Sequence, residues 1–287
     1  MKAKFSIAIV GPGRFGTALA RALIDAGHQL REIVSGASKT SRQSARALAH
    51  LAKGRATTLA TANLNANVIW LCVSDRKIED VAEQLAIATH WKKKIVFHSS
   101  GALTSDVLHG LRSRGASVAS VHPLMTFVHG SIPSFAGLPF AVEGDVIALG
   151  VARQIVRDLG GGAFAVRKRH KTLYHVWGMF TSPLLLSLVV AAEQVGRTAG
   201  VPATNIRRKM MPIMMQTLSN YAALGPASSF SGPLVRGDAA TVREHLKALK
   251  QTPDAKRIYI ALARSALRRL PVKNRSEMEK VLKSLGG

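Results

Sequence analysis

A lysine and a histidine lie four residues apart in the second half of the chain, at Lys171 and His175. If this segment is helical, both side chains share one face, because positions i and i+4 are neighbours on a helix. An ammonium group can polarise a carbonyl, and an imidazole can donate a proton to the atom that gains negative charge. The pair therefore predicts two catalytic residues that act on a polar double bond such as a carbonyl. The alternative is a capped helix start with one charge in water.

A second histidine, His122, follows a predicted strand over residues 117–121 and precedes Pro123. Groups at the carboxyl ends of parallel strands face the crevice in which open α/β sheets bind ligands. His122 is therefore a third catalytic candidate, as a hydrogen-bond donor in that cleft. A structural histidine in the turn that ends the strand is the alternative.

Two pairs of short polar residues follow other predicted strands. Ser74 and Asp75 come after an apolar run over residues 68–73, and Ser99 and Ser100 come after a strand over residues 95–98. We expect the first pair to contact the ribose or nicotinamide side of a cofactor, and the second pair to contact nicotinamide or substrate. Both pairs also contain residue types that cap helices, so capping is the competing interpretation.

The cofactor itself is predicted by a glycine-rich turn near the start of the chain. An apolar run leads into Gly11, Gly13 and Gly16, and a helical pattern follows. In this context the glycines allow the tight turn, the approach of a pyrophosphate to the backbone, and close packing of helix against strand. The helix N-terminus adds free N–H groups and a positive dipole. We predict dinucleotide binding, with Arg14 and Phe15 also contacting the cofactor.

The end of the second predicted strand bears on the choice of nucleotide. NAD-binding proteins often carry an acidic residue there that accepts the ribose hydroxyls, but this segment has none, and Glu32 lies too early in the strand. Ser35, Ser38, Lys39 and Arg42 can instead hold a 2′-phosphate through hydroxyl hydrogen bonds and cationic pairing. This favours NADP(H) over NAD(H), unless the two cations are only solvated charges.

The elements that position these residues follow from the alternation of apolar and amphipathic runs. Strands and helices alternate through the first half, which predicts an α/β fold with a Rossmann-like, doubly wound and mainly parallel sheet. After Arg169 the pattern becomes helical throughout. We therefore predict a dinucleotide-binding domain at residues 1–167 and an all-helical domain at residues 168–287. The predicted strands span residues 5–10, 30–35, 57–60, 68–73, 95–98, 117–121, 138–142 and 163–166.

The composition bears on partners and compartment. The formal net charge is +24, and such a surface attracts anionic cofactors, acidic metabolites, nucleic acid and anionic membranes alike. No basic stretch is interleaved with the aromatic residues that stack on bases, so nucleic acid is not an expected partner. Cys72 is the only cysteine, which excludes an intramolecular disulfide and indicates a reducing, cytoplasmic location.

Two further kinds of site are not expected. The apolar segment over residues 176–195 carries Pro183 and Glu193, so it falls short of a clean membrane span. A buried or dimer-forming helix explains it better, and we expect no membrane association. The ten histidines show no spacing typical of metal ligands, so we also predict no metal.

Five short motifs in the later sequence are recognisable as a set. They are HSSGAL at 98–103, SVHPL at 120–124, AGLPF at 136–140, KTLYH at 171–175 and SGPLVRGD at 231–238. The set resembles a family classed as oxidoreductases, in which a Rossmann-like domain precedes a conserved helical domain of unassigned function. Its relatives include pyrroline-5-carboxylate reductase, ketopantoate reductase, deazaflavin-linked NADP reductases and β-hydroxyacid dehydrogenases. The resemblance covers almost the whole chain. It implies NADP(H) use, a homodimer built on the helical domain, and favoured roles for Lys171 and His175.

One departure from that family affects the substrate. The family usually carries Ser-Asn in the long helix after the Tyr-His pair, whereas this chain has Ser182 and Pro183, which removes a polar side chain and introduces a kink. Ser182 is nevertheless predicted to contact substrate. Arg236 is the other substrate candidate, because its guanidinium can grip a carboxylate bidentately, although it can equally pair with Asp238.

These features together predict an NADP(H)-dependent oxidoreductase that reduces a small carbonyl or imine compound. Ketopantoate-like oxo acids and cyclic imines are the carboxylate-bearing classes that the resemblance suggests. The alternative is a non-enzymatic NADP(H)-binding sensor or scaffold whose basic surface takes an acidic partner, because the same fold serves both purposes.

Overall fold

The computed structural model describes residues 4–88, 90–128 and 133–284 of the chain. It contains two compact units, one that ends at Met179 and one that begins at Phe180. This division lies further along the chain than the domain boundary predicted after residue 167, which stays a prediction. The first unit extends because Lys171 and Tyr174 are buried in it.

Eight strands form one sheet in the first unit. They are β1 (Ser6–Val10), β2 (Gln29–Ser35), β3 (Arg55–Thr58), β4 (Val68–Leu71), β5 (Ile95–His98), β6 (Ser117–Pro123), β7 (Pro139–Gly144) and β8 (Gly162–Ala165). Their order in the sheet is β3-β2-β1-β4-β5-β6-β7-β8, and every neighbouring pair is parallel except β6 with β7. The predicted Rossmann-like, mainly parallel sheet is therefore confirmed.

Twelve α-helices accompany these strands in the described part of the chain. They are α1 (Arg14–Asp25), α2 (Lys39–Ala52), α3 (Ile78–Ala88), α4 (His109–Arg112), α5 (Val146–Asp158), α6 (Lys171–Thr181), α7 (Pro183–Thr198), α8 (Ala203–Ser229), α9 (Pro233–Arg236), α10 (Ala239–Ala248), α11 (Pro253–Arg269) and α12 (Arg275–Ser284). Short 3₁₀ turns lead into three of them, at Asp75–Lys77, Ser105–Leu108 and Lys168–His170. The predicted helical region after Arg169 is confirmed.

The core of the first unit has two layers, because successive residues of a strand point to opposite faces of a sheet. Ile7 and Ile9 of β1 pack in the layer that contains α1, α2 and α5, whereas Ala8 and Val10 pack in the layer that contains α3 and α4. All four residues of β4 are buried. Central parallel strands are covered on both faces, which explains why their sequences are continuously apolar.

The second unit has a smaller core, formed where α10, α11 and α12 meet. Val242, Leu246, Ile260, Leu267 and Val281 belong to its buried cluster. The long helix α8 is interrupted near its end, where Gly225 has φ 74° and ψ 177°.

Much of the apolar surface of the helical region is exposed. The helical stretch Lys168–Thr198 is long and apolar enough to cross a bilayer by length and composition alone, and no part of its most apolar window is buried. Large side chains such as Leu173, Phe180 and Leu186 are each more than 60% exposed. Of the two interpretations of this segment, the buried helix is therefore wrong, and the dimer-forming helix stays a prediction.

Candidate functional site

The glycine-rich turn joins β1 to α1, and two of its glycines are required by internal packing. Gly11 has φ +98°, and a Cβ there would lie 2.8 Å from a methyl group of Val73. A Cβ on Gly16 would lie 2.2 Å from the carbonyl oxygen of Gly11. Only residues without a side chain allow this close approach of helix and turn.

Gly13 is different, because no neighbouring protein atom requires a glycine at this position. A Cβ on Gly13 would meet nothing within 4 Å, and its φ of −76° is accessible to any residue. Gly13 is also the N-cap of the twelve-residue helix α1 and has no side chain to cap it. The open space therefore lies beside unpaired N–H groups at the positive end of a helix dipole. This cradle, which a Cβ would fill, fits the pyrophosphate of a dinucleotide.

A groove of about 910 Å³ surrounds the turn. Among the predicted cofactor residues, Gly11, Gly13, Arg14, Ser35, Ser38 and Ser74 line it. Lys39, Arg42 and Asp75 are exposed but are not among its lining residues. Lys77 also lines the groove and was not predicted. Its position one turn after Ser74 could have indicated that it contacts the cofactor.

Hydrogen bonds to the loop before β4 explain why an acidic residue, Glu32, is buried in β2. Glu32 is buried, and its carboxylate accepts hydrogen bonds from the backbone N–H groups of Asn63 and Leu64 at 3.2 and 2.7 Å. It is therefore committed to the loop before β4. Ser38 Oγ accepts from the Ser41 N–H at 3.1 Å and so caps α2 while it lines the groove.

A second, smaller cavity of about 160 Å³ adjoins the groove, since Cys72 and Val73 line both. Its other lining residues are Phe15, Ser99, His122, Pro123, Met125 and Phe127. Ser99 Oγ accepts a hydrogen bond from Trp70 Nε1 at 2.7 Å, which leaves the serine's own proton to donate. Most residues that line the cavity are therefore apolar, whereas Ser99 and His122 are polar and are two of the predicted site residues.

His122 lies inside β6, opposite Ala141 of β7, and not in a turn after the strand. Its Nδ1 lies 2.6 Å from the Tyr174 hydroxyl. Burial, followed by the nearby Lys171 and His175, lowers the pKa of His122 to about 4. The imidazole is thus neutral at neutral pH. Tyr174 was not predicted as a site residue, although it stands directly before His175 in the KTLYH motif.

Gly101 brings the loop after β5 against two histidines. A Cβ on Gly101 would lie 2.8 Å from His122 Nε2 and 3.0 Å from His175 Cδ2. The structure therefore brings together two of the three predicted catalytic residues, at a position that cannot accept a larger loop residue without displacing a ring.

Lys171 is buried, with 1% of its surface exposed, so the alternative of a charge in water is wrong. Its Nζ donates to Ser120 Oγ at 2.6 Å, and Ser120 Oγ donates to the Ser100 carbonyl at 3.1 Å. Burial lowers the pKa of Lys171 to about 8, against the opposing attraction of Glu143 and Asp75. Lys171 is not among the lining residues of the groove or the small cavity. Its charge acts there only through space.

The side chain of Ser100 holds the loop after β5 in place. Its Oγ donates to Asp75 Oδ2 at 2.7 Å and accepts from the N–H groups of Ala102 and Leu103. The hydroxyl is thus fully engaged within the protein. His98 also supports this loop, because its Nδ1 accepts from the Ser100 N–H and burial lowers its pKa to about 3.

The two predicted substrate residues belong to the second unit. Ser182 separates α6 from α7 with φ −134° and ψ −82°, and Pro183 begins α7, so the predicted kink is a break between two helices. Arg236 is the last residue of α9. Asp238, its alternative partner, caps α10 by accepting from the Thr241 N–H at 3.0 Å. Within the described residues, no group of three His, Cys, Asp or Glu side chains could hold a metal ion.

Two family models match the chain. One describes a Rossmann-like domain and matches residues 1–123, and the other describes a domain of unknown function, DUF2520, and matches residues 138–266. The chain therefore carries a Rossmann-like domain followed by a DUF2520 domain. The family resemblance predicted from the motifs is thereby confirmed. No curated protein matches the chain in sequence.

Solved structures share the fold of this Rossmann-like DUF2520 protein over nearly its whole length. A Bacteroides fragilis protein that carries the provisional name of an NADP oxidoreductase has a TM-score of 0.76 and 22% identity, over 93% of this chain and 99% of its own. A reductive aminase from Aspergillus terreus, in complex with NADPH and ethyl-5-oxohexanoate, has a TM-score of 0.67 and 16% identity, over 97% and 99%. A pyrroline-5-carboxylate reductase from Coxiella burnetii has a TM-score of 0.59 and 14% identity, over 92% and 98%.

Proposed function

We propose that this protein is an NADP(H)-dependent oxidoreductase that reduces a small carbonyl or imine compound. The observation that carries the proposal is the continuity of two cavities. The groove around the Gly13 cradle adjoins the small cavity into which Ser99 and His122 present polar atoms. A dinucleotide seated on the cradle has its reactive end near such a cavity in a Rossmann-like sheet. Three structural neighbours that carry oxidoreductase names support the same activity.

Residues of the groove would hold the cofactor. The α1 N-terminus and Gly13 would hold the pyrophosphate, and Arg14 and Lys77 supply positive charge along the groove. Lys39 stands in the first turn of α2, directly after Ser38. Neither Lys39 nor Arg42, on the next turn, lines the groove, but both lie next in sequence to serines that do. Their positive charge could reach a 2′-phosphate from there, which is our reason to prefer NADP(H) to NAD(H).

The reaction requires a hydride and a proton. A reduced nicotinamide, when bound, supplies the hydride, with both electrons, to the carbon of the C=O or C=N bond. The protein must then supply a proton to the oxygen or nitrogen. We assign that proton to His175, which is half-buried beside Gly101 and regains a proton from water. His122 donates a hydrogen bond to the same atom, and the charge of Lys171 stabilises negative charge there through space.

The small cavity favours a compact and largely uncharged reacting group. None of its lining residues is a lysine or arginine. The cavity therefore offers no lysine or arginine to a substrate carboxylate, such as that of an oxo acid or a cyclic imino acid.

Calorimetry with NADPH and NADH, followed by a panel of ketones, oxo acids and cyclic imines, tests the proposal. We expect tighter binding of NADPH, oxidation of NADPH with at least one panel member, and loss of turnover in His175→Ala with the NADPH Kd unchanged. If neither NADPH nor NADH binds, the proposed function is refuted. Lys39→Ala with Arg42→Ala should weaken NADPH binding about tenfold or more and leave NADH binding unchanged, because each charged contact to phosphate contributes on that scale.

The net charge of +24 supports a second candidate function, an NADP(H)-binding sensor or scaffold for an acidic partner. This function predicts coenzyme binding without turnover. It also predicts nucleic-acid affinity that falls steeply with salt and changes with the redox state of the coenzyme. Turnover combined with absent nucleic-acid binding near physiological salt decides for the enzyme.

The exposed apolar faces of α7 and α8 support a homodimer as the working assembly. Leu186 and Val190 on α7 and Ile213 and Leu218 on α8 are each at least half exposed, and contiguous apolar patches of this kind mark interaction surfaces. Light scattering after size exclusion tests this directly, since a monomer at micromolar concentration contradicts it. A reducing cytoplasmic location is part of the proposal, because Cys72 is a free thiol.

A further inference from the structure

Two histidines in the described residues are paired with tyrosines, one in each unit. Tyr174 lies 2.6 Å from Nδ1 of His122, with the two rings edge-to-face at 5.5 Å between centroids. Tyr259 lies 3.2 Å from Nδ1 of His245, also edge-to-face, at 6.0 Å. Only the first pair reaches the candidate site, because His122 lines the small cavity.

The surroundings of Tyr174 fix its ring firmly. It is buried, and it contacts the rings of Phe164 and Trp177 at 6.1 and 6.0 Å between centroids. The Lys171 ammonium lies 5.8 Å from its ring centroid. Burial also raises the pKa of Tyr174, so that its hydroxyl stays protonated. The hydroxyl therefore has a proton to donate and a fixed place from which to donate it.

The direction of the hydrogen bond follows from what else the hydroxyl can reach. Within the described part of the chain, the structure records His122 as the hydrogen-bond partner of the Tyr174 hydroxyl and no other. If Nδ1 of His122 carried the proton, the hydroxyl would accept the hydrogen bond, and its own buried proton would have no acceptor among the described residues. If Tyr174 instead donates to an unprotonated Nδ1, its buried hydroxyl proton has an acceptor.

The other ring nitrogen of His122, Nε2, lies beside the loop after β5. Nε2 points at Gly101, where a Cβ would come within 2.8 Å, so that the space next to Nε2 exists because residue 101 has no side chain. A neutral imidazole carries one proton, and a bond that fixes one nitrogen as acceptor makes the other the donor. The charged and titratable groups that act on His122 are Lys171 and His175 of α6 and His98 of β5. Each of them, when positive, opposes a second proton on the ring.

We propose that Tyr174 is a positioning residue that holds His122 as the neutral tautomer protonated on Nε2, so that Nε2–H points at the substrate heteroatom. The assignment of His122 to the substrate rests on the proposed function, whereas the tautomer does not. A neutral imidazole donor stabilises developing negative charge without giving up its own proton, which leaves proton transfer to His175.

Nitrogen-15 NMR of the histidine rings tests the tautomer in the free protein, with His122→Asn to assign the signal. We expect the wild-type signal of His122 at pH 7 to be that of a neutral ring protonated on Nε2. Tyr174→Phe should convert it to a mixture of tautomers, while the ring packing is kept. Tyr259→Phe, which removes the matched hydroxyl in the second unit, should leave the His122 signal unchanged. A wild-type ring protonated on Nδ1, a charged ring at pH 7, or an unchanged signal in Tyr174→Phe overturns the proposal.

Kinetics then separates the tautomer from the reaction. With a substrate found in the panel, Tyr174→Phe should lower kcat about tenfold or more, with the NADPH Kd unchanged, because misplaced donors cost rate and not coenzyme affinity. An unchanged kcat, in a variant whose NMR signal has changed, removes His122 from the reaction. If no panel member reacts, the NMR result still decides the role of Tyr174, and only the proposed reaction fails.

Discussion

The buried charge of Lys171 makes a quantitative prediction about stability and pH. Replacement by methionine keeps an unbranched apolar stem as far as Cε but removes the ammonium and its hydrogen bond to Ser120. The wild-type protein must hold this charge away from water, whereas the variant does not. The difference between the two proteins should therefore depend on pH in the range in which the ammonium loses its proton.

The sign follows from linkage between protonation and folding. Burial lowers the pKa of Lys171 from 10.5 to about 8 in the folded protein. Between these values the unfolded chain binds the proton more tightly, so the unfolding free energy of the wild type rises with pH. Relative to Lys171→Met, it should rise by about 2 kcal/mol between pH 7 and pH 9.5, out of about 3 kcal/mol for the whole shift.

Urea unfolding at several pH values, followed by tryptophan fluorescence, measures this difference. Trp70 and Trp91 are buried in the first unit and report its unfolding. The exposed Lys209 provides the control, since Lys209→Met should show a pH dependence parallel to that of the wild type. If the wild-type and Lys171→Met curves stay parallel within about 0.5 kcal/mol, the scale of a neutral surface substitution, then Lys171 is not held as a buried cation and the reasoning is wrong.

Four other substitutions test the site. Gly13→Ala should lower NADPH affinity about tenfold or more in calorimetry, with little change in the urea midpoint. Gly16→Ala should lower both the NADPH affinity and the urea midpoint, because its Cβ has no room. If the two variants lower the urea midpoint equally, this reasoning is contradicted. Glu143→Gln should destabilise the first unit by about 1–3 kcal/mol, because the buried N–H and O–H of Ser105 lose a charged acceptor; an unchanged unfolding midpoint contradicts it. Gly101→Ala should lower kcat with the NADPH Kd unchanged, because it displaces an imidazole; normal turnover would contradict the assigned geometry.

The sheet could be predicted because its signals are local. A run such as Val68–Leu71 is buried at every position, and a central parallel strand needs only that pattern to be recognised. The glycine turn has a local sequence signal as well, since the spacing of Gly11, Gly13 and Gly16 between a strand and a helix is enough to recognise it, although Gly11 also contacts the distant Cys72 and Val73. Periodicity and turn chemistry therefore sufficed for the fold and for the position of the groove.

The arrangement of the polar side chains could not be predicted, because it depends on contacts between distant segments. Ser100 has the residue type of a helix cap or a cofactor contact, but its hydroxyl is bonded to Asp75, twenty-five residues earlier. His122 was assigned to a turn because nothing near it in the sequence announces the antiparallel strand that pairs with it at Ala141. The burial of Lys171 likewise depends on Ser120, fifty-one residues away.

The lowered pKa of Lys171 favours the proposed functional role of this cluster over that of a structural ion pair. In a structural ion pair, the carboxylate outweighs desolvation, and the lysine pKa rises above its ordinary value. Here Glu143 and Asp75 both attract the ammonium, yet burial dominates and the pKa is lowered. Glu143 is itself committed to the N–H and hydroxyl of Ser105. A buried cation that its neighbours do not neutralise creates a positive potential at the carboxyl ends of β5 and β6. The reaction proposed above develops negative charge on oxygen or nitrogen, and such a potential would stabilise that charge; this is the role that the proposal gives to Lys171 in return for its stability cost.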